Sequence, residues 1–200
     1  VGDVVENYPP QVTRLLMNHI GTHDTERALT VLAGEPAAGR GLQWQAGKKL
    51  SPEQRERGLR LMRLASALQF TLPGVPCIYY GDEAGLEGYR DPFNRGCYPW
   101  GGEDQELLSW YRSLGALRAA CPALSEGDFL PFFCDGRLLA FRRVGKDSAL
   151  ICAVNAGWEA ACLPVPQGFS LALSCGAALE GETLHLEAES CALLTAQSGR

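Results

Sequence analysis

Two hundred residues leave room for one domain or two small ones with a substantial buried core. Hydrophobic residues at 46% and charged residues at 20% describe an ordinary globular chain, and a net charge of −5 without any basic run excludes a nucleic-acid partner. No apolar stretch is long enough for a membrane-spanning helix, so no membrane partner is expected.

The chain opens "VGDVVENYPPQVTRLL", without an initiator methionine, and is expected to be a segment of a longer polypeptide. "RLLMNHI" has no polar face until Asn18, the pattern of a buried strand covered on both sides. A helix is expected in "TERALTVLA" and a surface loop in "GEPAAGRGLQWQAGKK". Ser51-Pro52-Glu53-Gln54 is a capping box with proline at the first helical position. The helix it starts should bury Leu61, Leu64, Ala65, Leu68 and Leu72. "VPCIYYG" reads as a second buried strand, followed by a long glycine-rich loop. A third helix, about 105–120, carries Leu107, Trp110, Tyr111, Leu114 and Leu117, and Cys121-Pro122 ends it.

After Pro122 the pattern changes. "LLAFRRV", "ALICAVN", "AACLPVP", "SLALSC" and "LHLEAESCALLTA" are short strand-like runs divided by glycine turns at Gly136, Gly157, Gly168, Gly176 and Gly181. An antiparallel sandwich or small barrel is expected over residues 125–200, after an α/β piece over 1–124. Two parallel strands alone leave open edges, so the natural completion is a larger parallel sheet or a (β/α) barrel with its earlier strands upstream. The eight cysteines show no C-x-x-C pair and no zinc-finger spacing, which suits buried, reduced thiols of a cytoplasmic protein and no metal site.

Both polar clusters of the α/β piece follow strands: Asn18 to Thr25 and Gly81 to Trp100. In a (β/α) barrel the active site gathers at those carboxyl ends. Read without further context, Asp24 and Thr25 are helix-capping residues, His23 is a structural histidine, and Asp91 with Arg95 is an i, i+4 surface salt bridge. Asp82 and Glu83 point apart on an extended segment and read as loop anchors. His19 is expected to pack beneath the cleft, and His185 to point outward from its strand. Trp44, Trp100 and Tyr89 suit either sugar stacking or burial.

"NHIGTHDTERALT" resembles the strand-seven motif of the alpha-amylase family of glycoside hydrolases, and "LPGVPCIYYGDEAGLEGYRDPFNRGCYPW" resembles its strand-eight region, most closely in the neopullulanase, cyclomaltodextrinase and maltogenic amylase branch. The resemblance implies a fold made of the C-terminal part of a (β/α)8 TIM barrel followed by an antiparallel β-sandwich. It implies that Asp24 is the carboxylate that stabilises the transition state, that His23 contacts hydroxyls of the same sugar, and that Asp91 and Arg95 grip the neighbouring glucose. An α-glucan oligosaccharide or cyclodextrin would be the substrate, with no cofactor. The branch often dimerises through an amino-terminal domain, so a homodimeric parent is among the expectations.

Retaining hydrolysis also needs a nucleophile and a general acid/base flanking the bond. In the family these lie on strands four and five, in motifs absent from this chain. "GYRDP" is superficially similar, but Asp91 follows Arg90 directly, and "EGE" at residues 180–182 reads as a turn. The expectation is a C-terminal portion of an enzyme cleaving α-1,4 and α-1,6 bonds, inactive in isolation. The alternatives are a non-catalytic carbohydrate-binding, structural or dimerisation fragment, and a glucosyl-transferring member of the same family.

Overall fold

The structure, a computed structural model, describes residues 1–196; residues 197–200, the end of the expected β domain, lie outside the described residues. Two short helices, α1 (Gly2–Asn7) and α2 (Pro10–Thr13), precede strand β1 (Met17–Asn18). Then come α3 (Ala28–Ala33), α4 (Leu42–Gly47), α5 (Pro52–Thr71) and β2 (Val75–Pro76). A 3₁₀ turn at Phe93–Arg95, α6 (Gln105–Ala120) and α7 (Ala123–Glu126) lead into the sheet strands. These are β3 (Asp128–Asp135), β4 (Leu138–Val144), β5 (Ala149–Asn155), β6 (Ala161–Pro164), β7 (Phe169–Glu180) and β8 (Thr183–Ala196).

β1 and β2 pair in parallel, Met17 opposite Val75 and Asn18 opposite Pro76, as a βαβ unit requires. The strands are shorter than the apolar runs suggest, and they are not buried. Leu15 is 76% and Met17 68% exposed, and Val75 and Ile78 are exposed as well. The reason is topological: among the described residues β1 and β2 have only each other as neighbours, so their outer edges lie open.

The expected surface loop before α5 contains helix α4. Its Trp44 ring packs 5.1 Å from the Tyr89 ring and beneath the Arg40 guanidinium at 4.6 Å. Helix α5 begins as the sequence predicts. Ser51 Oγ accepts from the Gln54 backbone N–H, and the Gln54 side chain accepts from the Ser51 N–H. Its burial differs from a single stripe, because Met62, Leu64, Ser66, Ala67, Gln69, Phe70 and Thr71 are all buried while Leu61, Ala65 and Leu68 are only half-buried. The helix is packed on several sides, with α3 and α6 on it and the terminal sheet against it.

The terminal sheet runs β3-β4-β5-β8-β6, with β7 against the other edge of β8, and every pairing is antiparallel. β8 is long enough to serve twice. Residues 190–195 pair with β5 and residues 183–186 with β6, on either side of a bend at Glu189, whose φ is +50°. On the opposite strand Gly176 stands at φ +65° within a register shift of β7, so it is a bulge inside a strand and not the turn its sequence suggests. β3 is the strand the sequence hides: Pro131 and a register shift between Pro131 and Phe133 break its alternation.

Alternation along the strands gives the sheet two faces with different partners. One face, including Phe141, Leu150, Cys152 and Leu193, shares a core with Met62, Phe70, Leu107 and Leu114 of α5 and α6. The other, with Ile151, Ala153, Leu163, Leu184 and Leu194, closes on itself. Arg143 ties the sheet to the helices: buried, it donates to the Thr71 carbonyl at 2.8 Å and to the Gly127 carbonyl at 2.9 Å. Burial pulls its pKa down to about 10.

Candidate functional site

The site is built from the two chain segments that leave β1 and β2. Gln69, buried on α5, holds them together by donating to the carbonyls of Asn18 (3.1 Å) and Cys77 (2.9 Å). Gly21 allows a close approach at the next step: a Cβ there would stand 2.6 Å from Asp82 Oδ2 of the other segment and displace that carboxylate. The chain then turns over Thr22 to Thr25. Thr25 Oγ1 accepts from the Thr22 N–H, and Thr22 Oγ1 accepts from the Asp24 N–H.

Helix α3 starts three residues later than the capping reading of Asp24 requires. Its N-cap position is Arg27, with no side-chain cap. The Asp24 carboxylate therefore has no helix to cap. It stands 74% exposed, with Oδ1 3.3 Å from Nε2 of His23, itself 63% exposed.

Beneath this exposed pair lies a buried one. Arg27 and Asp82 are almost fully enclosed, with Nη1 3.5 Å from Oδ1, an ionic contact. Arg27 also donates to the Tyr80 carbonyl and lies 4.1 Å and 4.6 Å from the Tyr79 and Tyr80 ring centroids. Burial pushes the Asp82 carboxyl up to about 6 against the pull of Arg27. Asp82 and Glu83 are loop anchors, as their sequence context suggests, and Glu83 accepts from the Gly81 N–H at 2.9 Å.

The loop after β2 reaches back over the first. Asn94, buried in the 3₁₀ turn, donates through Nδ2 to the carbonyls of both His23 (2.8 Å) and Thr25 (2.6 Å). Arg90 Nε stands 3.4 Å from Glu26, and the Arg27 N–H donates to the Gly88 carbonyl at 2.9 Å. Arg95 at the end of that turn pairs at 2.8 Å with Asp91 just before it, and both are solvent-accessible. All four expected site residues thus lie on two loops clamped by one asparagine. The buried clamps Arg27, Gln69 and Asn94 escape a reading of the sequence, since only their partners, distant in the chain, give them a role.

Three other expectations resolve. His19 is exposed instead of packed under the cleft, on a sheet that among the described residues has only the two strands β1 and β2. His185 points outward as expected. Tyr89 is buried and donates to the Glu35 carbonyl at 2.9 Å, whereas Trp100 is 85% exposed. Chemically, the two loops offer carboxylates, an imidazole and a guanidinium to solvent on a rigid base. That set suits the hydroxyls of a polyol, to which charged groups make the stronger, better-oriented hydrogen bonds. Among the described residues no group of three or more His, Cys, Asp or Glu side chains is arranged to hold a metal ion.

The chain matches no family model. Its sequence is 39% identical over 148 residues to an amylopullulanase of Thermoanaerobacter thermohydrosulfuricus, an alignment covering 72% of this chain. It is 33% identical over 167 residues to a cyclomaltodextrinase of Geobacillus thermopakistaniensis, covering 82%. The chain belongs to the alpha-amylase family of glycoside hydrolases. Among solved structures of the family, the debranching enzyme of Nostoc punctiforme superposes with a TM-score of 0.75 and 29% identity over 96% of this chain and 38% of its own. The cyclic α-maltosyl-(1→6)-maltose hydrolase of Arthrobacter globiformis gives 0.71 and 28%, over 97% and 38%. These superpositions fit the fold expected for the family, a portion of a (β/α) barrel followed by an antiparallel β domain. The chain spans only 10% of the amylopullulanase and 24% of the cyclomaltodextrinase.

Proposed function

We infer that this chain supplies the last strands of the catalytic barrel, residues 1–124, and the terminal β domain, residues 125–200, of an enzyme that hydrolyses α-glucans. Asp24 stabilises the oxocarbenium-like transition state, and His23 holds hydroxyls of the same sugar. Asp91 and Arg95 hold the next glucose. Fixed negative charge beside a developing cation contributes most where the charge is held before reaction begins. The observation that carries this reading is that Asp24, with no helix to cap, projects beside His23 from a loop whose backbone Asn94 pins. The names of the relatives, a cyclomaltodextrinase and an amylopullulanase among them, support α-1,4 and α-1,6 glucosidic bonds as the bonds cleaved.

Double displacement needs two further carboxyl groups about 5–5.5 Å apart. Asp91 is engaged by Arg95, and Asp82 is buried against Arg27, so neither is placed for that work. The nucleophile and the general acid/base belong to sequence outside this chain, which by itself is inactive.

Hydrolysis of β-cyclodextrin, maltotriose and pullulan tests the reading, comparing the 200-residue chain with one extended upstream to a whole barrel. The extended form is expected to turn over substrate, and Asp24→Asn to lower its kcat at least roughly a hundredfold. Activity in the short chain, or an Asp24→Asn enzyme with unchanged kcat, would overturn it.

A further inference from the structure

The terminal sheet carries a second cluster, made of residues separate from the two loops of the candidate site. Cys162 on β6 and His185 on β8 are register partners, both on the exposed face. Cys162 Sγ lies 3.3 Å from His185 Nδ1, and on the far side of the ring Nε2 lies 3.7 Å from Glu180 Oε2. A thiol, a base within reach of its proton and a carboxylate behind the base form the arrangement that activates a nucleophile. The thiol does not face featureless surface. A cavity of about 430 Å³ opens beside it, floored by small residues including Ala161, Gly176 and Ala177, with Glu187 at its wall. The other exposed cysteines, Cys97 and Cys134, have no side-chain hydrogen bond among the described residues.

We propose that Cys162 is a thiol-modification site that takes a small, neutral or cationic disulfide into this cavity. His185 Nδ1 accepts the thiol proton as Sγ attacks one sulfur of the disulfide. A Cys162–sulfur bond forms, the disulfide's own S–S bond breaks, and the departing thiolate takes the proton back from His185. Cys162 is oxidised and the leaving sulfur reduced, so no further oxidant is needed. Glu180, set against the ring, stabilises the imidazolium that forms between these steps. Glu180 and Glu187 make the surroundings acidic, which selects against anionic disulfides.

The test exposes the full chain to cystamine, a cationic disulfide, or to oxidised glutathione, an anionic one. Peptide mapping by mass spectrometry follows the mixed disulfide at each cysteine over time. Cys162 is expected to react with cystamine about tenfold faster than Cys97 or Cys134, and His185→Gln to remove that advantage while leaving the other two rates unchanged. Glutathione should react more slowly at Cys162, and Glu187→Gln should narrow the gap. Both substitutions are on the exposed face, and an unchanged thermal melt verifies the fold of each variant. Equal rates at the three cysteines, or a Cys162 rate indifferent to His185→Gln, would overturn the proposal. Faster labelling by glutathione would overturn the charge preference.

Discussion

The two sheets of this molecule treat their apolar residues in opposite ways. The antiparallel sheet buries Phe141, Leu150, Ile151, Leu193 and Leu194 completely, on one face against helices and on the other against itself. The parallel pair leaves Leu15, Met17, Val75 and Ile78 in solvent. Both are written in the same hydrophobic alphabet. What separates them is closure: β4, β5 and β8 of the terminal sheet find partners on both edges within the chain, whereas a two-stranded parallel pair needs neighbours on both edges and both faces. The candidate site sits on the unclosed side, and its two loops are held by buried polar clamps instead of a surrounding core.

The largest effect that distinguishes the two regions should come from truncating one side chain in each. Phe141→Ala is expected to cost about 3–5 kcal/mol in urea denaturation, because its ring is fully enclosed and packs 5.0 Å from Phe129. Met17→Ala in the same chain should stay within about 0.5 kcal/mol, as ordinary surface substitutions do. If Met17→Ala proves as costly as Phe141→Ala, the contrast between a closed and an open sheet fails.

A second comparison sets the clamp beneath the site against pH. Asp82 has its carboxyl raised from 3.8 to about 6 by burial, so the folded chain holds that proton more tightly than the unfolded chain. Its contribution is fully present below about pH 4 and is lost as pH rises through about 6. Each tenfold difference in proton affinity between the folded and unfolded chains is worth roughly 1.4 kcal/mol. Wild type should therefore lose up to about 3 kcal/mol between pH 4 and pH 7 from this group, and Asp82→Asn should be flat by comparison. Parallel melting curves for the two proteins would show that the carboxyl gains no proton affinity on folding.

The smallest effect concerns the helix that joins the two regions. Ser51→Ala removes one half of the capping box and should cost about 1 kcal/mol, with no change in the environment of His23 or Cys162 by NMR. A shift at either site would mean that the start of α5 governs more than its own first turn.

How much of this was legible in advance follows the range of the interactions. The capping box of α5, the length of α6 and the parallel pairing of β1 with β2 rest on local pattern, and they stand in the structure as the sequence suggests. Strands β4, β5 and β8 follow from alternation and turn glycines in the same way. Local signals failed where a distant partner decides. Helix α4 packs its Trp44 against the distant Tyr89, β3 is obscured by its own proline and register shift, and Gly176 bends a strand instead of ending it. At the candidate site, His23, Asp24, Asp91 and Arg95 stand exposed on the two loops that follow β1 and β2. The clamps were not legible, because the requirement for Asn94 or Gln69 is written in carbonyls dozens of residues away.

The bend at Glu189 has a further consequence. Its buried carboxylate is gripped from α5 by Arg57 at 2.7 Å and Arg60 at 3.8 Å, and its N–H donates to the Gly157 carbonyl. Because β8 is paired with β5 beyond this point and with β6 before it, one residue fixes the indexing of both ladders at once. A slip of a single position would turn every inward side chain outward in both ladders simultaneously and would pull the carboxylate off its arginines. Glu189 works as a key in a keyway: the strand seats in one register, and that register is set from helix α5.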